Sequence, residues 1–299
     1  MQMRWFNRGV EAIVRTPPVR LDPRSSVQTV TQLYPPDIWM FAVAIRAFAR
    51  FVPLRACWIV ADRLLPEHKA FLQAQVTGLQ IIDTTKVDTS GFPTGGTWER
   101  LLHIIDISAG HYTIQLDADT ITSSSPTEVI ECAATGRCFT LGTSMGREVV
   151  AGRDVARQLA HLAAPDNHIQ IAAELTFADK HDPATRYVRG NSAFAGFAPG
   201  ATSRARLKEF SDAMASAVGE SRWREWGSEQ VASNWCVANA PGGMVLPFER
   251  YRYFDPVADL SGAAFLHFIG PHRFSAGVYR RMSREVIAQL GRGADASAA

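Results

Sequence analysis

The chain has 299 residues, 46% of them hydrophobic and 20% charged, which is enough apolar material for one large α/β domain or a domain with additions, and too much for a disordered chain. Its 31 basic and 29 acidic side chains leave a net charge of +2, which excludes a global electrostatic drive toward nucleic acid. Cys57, Cys132, Cys138 and Cys236 show no CxxC spacing, no apolar run reaches the roughly 18 residues that span a bilayer, and charges at Arg8, Glu11 and Arg15 interrupt any signal-peptide core, so a reducing cytoplasm is the expected compartment.

In chain order, residues 1–15 (MQMRWFNRGVEAIVR) form a short basic amphipathic segment. Trp5, Phe6, Val10, Ile13 and Val14 share a face that either docks on the protein's own body or lies on an anionic membrane surface. Ser26 to Leu33 has strand character and stops at Tyr34-Pro35-Pro36-Asp37; Ile38 to Phe51 is an apolar helix. Strands at Arg55–Asp62 and Leu79–Asp83 flank a helix at Pro66–Val76, and the three glycines in Lys86 to Gly96 mark a loop. A helix opens at Trp98 with Thr97 as N-cap and runs to about Ser108. Tyr112 to Leu116 alternates as a buried strand, Thr120 to Ser125 follows as a polar loop, and Pro126 with Glu128 starts a helix.

The second half is less regular. Phe139 to Gly146 reads as a strand, Arg153 to Ala164 as a helix, and Pro165 to Lys180 fits neither pattern cleanly. Arg186 to Gly200 is a glycine-rich, hairpin-like segment; Thr202 to Ala217 and Trp223 to Asn239 are helices, the second capped near Ser228. Met244–Phe254 returns as a strand, Phe265–Gly270 within the 263–274 segment is another, Val278 to Leu290 is a basic helix, and residues 291–299 look frayed. Strands alternating with helices predict a mostly parallel central sheet flanked by helices, with ligands at the carboxyl ends of the strands. The turn after the first strand, TQLYPPD, lacks the glycine fingerprint of a classical dinucleotide fold.

The chemistry-bearing stretch is Leu116-Asp117-Ala118-Asp119-Thr120, two carboxylates one residue apart where a buried strand emerges from its sheet. Carboxylates that close repel unless one is protonated or a cation lies between them, although an Asp-x-Asp alone is also a common charged turn. The late segment Phe265-Leu266-His267-Phe268-Ile269-Gly270-Pro271-His272-Arg273 offers an imidazole, which with the two acids makes a mixed N/O set suited to Mn²⁺ or Mg²⁺. Gly270 lets backbone amides approach an anion, and Arg273 can neutralise a diphosphate.

Together these motifs resemble a GT-A fold nucleotide-sugar glycosyltransferase, closest to the glycogenin and lipooligosaccharide galactosyltransferase group. That group joins a strand-end Asp-x-Asp to a late H-x-x-G-x-x-K, here with Arg273 for the lysine, and carries an arginine on the preceding helix, matched by Arg100. Its N-(A/S)-G element resembles Asn191-Ser192-Ala193, and its D-Q-D-x-x-N helix start resembles Glu229-Gln230-Val231-Ala232-Ser233-Asn234, with Val231 replacing an acid. The resemblance covers roughly residues 27–274.

It implies a Rossmann-like nucleotide-sugar-binding half (26–125) and an acceptor half (126–274), between an N-terminal extension (1–25) and a C-terminal helix and tail (275–299). Asp117, Asp119 and His267 would hold the metal, Asp117 also meeting the nucleotide ribose. Thr31 and Gln32 would lie near base and ribose, Arg100 and Asn191 near the donor sugar, and Gly270 with Arg273 at the diphosphate. Glu229 and Gln230 would support the reacting sugar, Glu229 either by orienting hydroxyls or, in an inverting enzyme, by deprotonating the acceptor. As alternatives, Glu229 is an ordinary helix N-terminal acid and Asn191 a turn residue. Trp98, Trp223, Trp226 and Trp235 either pack or stack on sugar rings. The partners implied are a nucleoside diphosphate sugar, with UDP as the leading nucleotide, and a glycan or lipid-linked acceptor. Arg280, Arg281 and Arg284 could bring the chain to the inner face of a bacterial membrane. A nucleotidyltransferase would need a glycine- and basic-rich loop after the first strand; a silent nucleotide-sugar binder remains the other alternative.

Overall fold

The protein is described over residues 2–297 by a computed structural model. Helix α1 (Gln2–Val10) runs into a 3-10 turn, Glu11–Arg15, and strand β1 spans Val27–Leu33. Helix α2 (Ile38–Ala49), strand β2 (Ala56–Ala61), helix α3 (Pro66–Gln75) and strand β3 (Gln80–Asp83) follow. Next come α4 (Trp98–Ile107), β4 (Tyr112–Leu116), β5 (Thr120–Thr122), α5 (Thr127–Thr135) and β6 (Phe139–Leu141). The middle of the chain holds β7 (Val150–Ala151), α6 (Gly152–Leu159), α7 (Ile169–Leu175), β8 (Arg186–Tyr187) and β9 (Asn191–Phe197). The remainder is α8 (Arg204–Val218), α9 (Glu220–Trp223), α10 (Ser228–Ala238), β10 (Met244–Val245), β11 (Tyr251–Tyr253), β12 (Phe265–His267) and α11 (Val278–Ser297).

Seven strands make the mostly parallel central sheet, ordered β10-β6-β9-β4-β1-β2-β3, and helices flank it. The chain folds as two compact units, one from residues 2–83, 116–130 and 249–297, the other from 84–115 and 131–248.

In the first unit, β1, β2 and β3 pair in parallel, and every residue of β1 is buried, as a strand covered on both faces must be. Because β1 carries polar side chains inside, they need partners: Thr31 Oγ1 donates to the Leu116 carbonyl at 2.6 Å. A small second sheet, β11-β12-β5, sets β12 antiparallel to β5 with His267 opposite Thr120. The amphipathic face of α1 docks on the body of this unit: Phe6, Val10 and Ile13 are fully buried, and Phe6 stacks on Tyr279 of α11 at 4.5 Å. Tyr279 in turn stacks on Phe268 at 4.3 Å, just past β12. In the second unit, β9 pairs antiparallel with β6, and a Cβ on Gly196 would strike the Phe139 ring and the Tyr112 hydroxyl, so only glycine lets these strands close up. Among the described residues no helix is long and apolar enough to cross a membrane.

Several local expectations change. Thr120-Ile121-Thr122 is strand β5 rather than loop, because β12 supplies its hydrogen-bonding partner. The 186–200 segment is no hairpin: β8 pairs with β7 and β9 with β6. The 244–254 stretch divides into β10 and β11, which belong to different sheets. Thr97 does not cap α4 with its side chain but sits in left-handed backbone (φ 76°), and Ser228 is the first residue of α10 after left-handed Gly227. Helix α11 continues past Leu290 to Ser297; Ala298 and Ala299 lie outside the described residues.

Phe6→Ala should empty a fully enclosed aromatic site and destabilise the protein by about 3–5 kcal/mol, read as a lower urea midpoint with an unchanged slope.

Candidate functional site

Strand β4 ends at Leu116, and the chain then turns through Asp117, Ala118 and Asp119 before β5 begins. Thr120 Oγ1 donates to the Asp117 carbonyl at 2.8 Å and fixes this turn. The β5–β12 pairing does the rest. With His267 opposite Thr120, the Phe268 N–H donates to the Asp119 carbonyl at 2.8 Å, and His267 Nε2 lies 3.3 Å from Asp119 Oδ1. One ligand atom from each of Asp117, Asp119 and His267 falls within 4.8 Å of the others. Asp119 and His267 are buried while Asp117 is half-exposed, so the cluster is open on one side.

Arg273 joins this cluster. Its guanidinium donates to Asp119 Oδ2 at 2.6 Å and is anchored at Nε by the Phe268 carbonyl at 3.0 Å. Gly270, in left-handed backbone at φ 57°, begins the 3-10 turn that carries the chain from β12 to Arg273. Burial alone would raise the Asp119 carboxyl, but the His267 charge and hydrogen bond together with Arg273 outweigh it and hold the group below its usual range. Burial likewise opposes charge on His267, and the Asp119 and Asp117 carboxylates overcome it and push the imidazole up.

The residues suit a divalent cation. Two carboxylates and a buried imidazole are a hard-to-borderline donor set, and His267 Nδ1 is buried with no hydrogen-bond partner among the described residues. A third carboxylate that sequence reasoning passed over stands nearby. Asp37, at the turn after β1, is pushed up to about 6 by burial, with Arg273 opposing and Asp119 and Asp117 adding to the rise. Its position at the carboxyl end of a parallel strand was the available signal. Of the two β1 candidates, Thr31 spends its hydroxyl on the sheet, whereas Gln32 bonds Tyr34 Oη through Nε2 at 3.3 Å and keeps a buried Oε1 without a partner among the described residues.

The second unit gathers the other candidates. Arg100 on α4 and Glu229 on α10 form a buried pair at 3.5 Å, their side chains 5% and 3% exposed. Glu229 Oε2 also accepts from Thr97 Oγ1 at 2.9 Å and from Ser192 Oγ at 3.3 Å. Left-handed Thr97 therefore serves the carboxylate instead of the helix end. Gln230 is half-buried and its Oε1 accepts the Ser192 N–H at 3.3 Å, while Asn191 turns its own Oδ1 onto the Ala193 N–H at 2.9 Å. The role of Thr97 and Ser192 as partners of Glu229 had no sequence signal, since both are ordinary loop and strand residues until the fold brings them to that carboxylate.

No family model matches the chain, and neither does any curated protein. Solved structures do. The galactosyltransferase LgtC, in complex with donor and acceptor sugar analogues, is 12% identical with a TM-score of 0.53 over 88% of this chain and 96% of that one. The bifunctional glycosyltransferase WbbM is 13% identical with a TM-score of 0.51 over 89% of this chain and 50% of its own length. The glycosyltransferase GlyE of Streptococcus pneumoniae is 13% identical with a TM-score of 0.51, and this chain spans 64% of it. At such identities the likeness is one of architecture, and with the strand-end acids and their partners in view the chain has the fold of the GT-A glycosyltransferases.

Proposed function

We propose that this protein is a metal-dependent glycosyltransferase that moves a sugar from a nucleoside diphosphate sugar, with UDP as the nucleotide, to a glycan or lipid-linked acceptor. The observation that carries this reading is the grouping of Asp117, Asp119 and His267 with Arg273 at the end of the sheet. LgtC, similar in fold, was solved with donor and acceptor sugar analogues and as an active-site glutamine variant.

Asp117, Asp119 and His267 would hold Mn²⁺ or Mg²⁺. When bound, the ion supplies Lewis-acid stabilisation of negative charge on the leaving diphosphate. Arg273, held at Nε by the Phe268 carbonyl, keeps a permanent positive charge for the same phosphate oxygens, and exposed Gly270 leaves the backbone accessible to them. Gln32 uses its unpartnered Oε1 on the nucleoside.

In the second unit, Glu229 has both oxygens engaged and is buried, so it acts as a positioning group for Arg100, Thr97 and Ser192 rather than as the base that deprotonates an acceptor. That favours retention of configuration. Gln230, half-buried, is the group left to meet the positive charge that grows on the sugar ring, with Arg100, paired to Glu229, and Asn191, next to Ser192 in the chain, as the further donor-sugar candidates. The silent-binder alternative keeps one observation, the fully buried Val231 in place of an acid. We also propose peripheral attachment to a membrane, because Trp5, 44% exposed, lies among Arg280, Arg281 and Arg284.

Adding Mn²⁺ with UDP should raise the melting temperature by several degrees, chelation should reverse it, and Asp119→Ala should abolish the shift, all read by thermal denaturation. Asp119→Ala should also remove measurable hydrolysis and transfer from a radiolabelled UDP-sugar; turnover retained in that variant would remove the metal assignment. Arg273→Ala should lower kcat by roughly 10²–10³-fold, the scale of losing one preorganised charge partner.

A further inference from the structure

The four tryptophans that could meet sugar rings separate cleanly by environment. Trp98 and Trp223 are each 1% exposed and meet edge to face at 5.9 Å, with their indole N–H groups bound to Ser228 and Ser211. Trp235 stacks on Phe210 at 4.4 Å, nearly parallel. These three pack. Trp226 is 72% exposed, in the turn before α10, four residues before Gln230 and three before Glu229.

Exposure alone would mean little for one large apolar ring, but this ring is held in place. The His168 imidazole meets it edge-on at 5.7 Å and 78°, and His168 is itself fixed because its Nδ1 accepts the Gln170 N–H at 3.2 Å. The next residue, Gly227, adopts φ 106°, and a Cβ there would strike the His168 ring, so both backbone shape and close approach demand glycine. On the other side the Trp226 backbone lies against Gly96, next to the Thr97 that bonds Glu229. The preceding α9 is tied down by Arg222, which donates to the Asn167 carbonyl. An exposed indole is thus braced by His168 on the turn that leads into the helix of Glu229 and Gln230, its backbone against the loop that carries Thr97.

That combination is the chemistry of a pyranose. The axial C–H face of a sugar carries a partial positive charge and is drawn to the electron-rich indole face, while the ring's hydroxyls need acceptors and donors at its edge. We propose that Trp226, backed by His168, is the stacking platform for one pyranose ring of the acceptor; this rests on the glycosyltransferase reading above and adds to it the acceptor contact.

The full-length protein labelled with 5-fluorotryptophan gives a separate ¹⁹F signal for Trp226, identified by its loss in Trp226→Phe. With Mn²⁺ and UDP present, methyl glycosides of glucose, galactose, mannose and N-acetylglucosamine are titrated. The Trp226 signal should move saturably with at least one, and Gly227→Ala, which displaces the ring from His168, should weaken that binding tenfold or more. In transfer assays with that glycoside, Trp226→Ala should raise the acceptor KM at least tenfold with a smaller change in kcat, and Trp226→Phe should restore most of it. A Trp226 signal indifferent to all four glycosides, or an unchanged KM in Trp226→Ala, overturns the platform. Metal-dependent hydrolysis of UDP-glucose or UDP-galactose by the unaltered protein separates the two failures: if it proceeds, only the platform falls; if neither donor is hydrolysed or transferred, the transferase reading falls and the platform with it.

Discussion

The antiparallel pairing of β5 with β12 is the constraint on which the site depends. It places His267 opposite Thr120 and joins Phe268 to Asp119 through the backbone, so an imidazole from late in the chain is delivered to the turn that carries the acids. Backbone hydrogen bonds set this register, and a slip of one residue would turn His267 to the opposite face of the strand. The aromatic stack of Phe6, Tyr279 and Phe268 buttresses the end of β12 from behind. In this way a terminal helix that looks peripheral in sequence supports the geometry of the cluster.

Electrostatics then decides what that geometry is good for. Asp119 is buried, and an isolated buried carboxylate would pick up a proton; the His267 charge and the Arg273 guanidinium keep it ionised instead. Asp37 shifts the opposite way in the same surroundings, its carboxyl raised to about 6 because burial and two neighbouring acids outweigh Arg273. The cluster therefore holds an ionised carboxylate whose oxygens a divalent cation could take over from His267 and Arg273, and through such an ion phosphate oxygens.

The Arg100–Glu229 pair in the second unit obeys a different rule. Two charges that are 5% and 3% exposed are costly to bury, and they persist because Thr97 and Ser192 hydroxyls satisfy the remaining carboxylate oxygen. Such a saturated network fixes the positions of α4, α10 and β9 relative to one another and leaves half-buried Gln230 and open Trp226 as the groups free to meet a ligand. Rigidity of this kind is what a transfer site requires, since misplacement of the reacting groups by an ångström is costly.

The sequence by itself determined the α/β alternation, the mostly parallel sheet, the strand-end position of Asp117 and Asp119 and the choice of His267 and Arg273 as their partners. Those are legible because hydrophobic periodicity is local and because carboxylates at a strand end carry a recognisable chemical demand. It misread Thr120–Thr122 as loop, joined β10 to β11, and made a hairpin of 186–200, since a short strand is defined by a partner that only the fold supplies. Thr97, Ser192 and His168 had no local mark of their roles. Tertiary structure alone decided them, because burial, pairing and the distance between residues far apart in the chain are properties of the packed molecule and not of any segment within it.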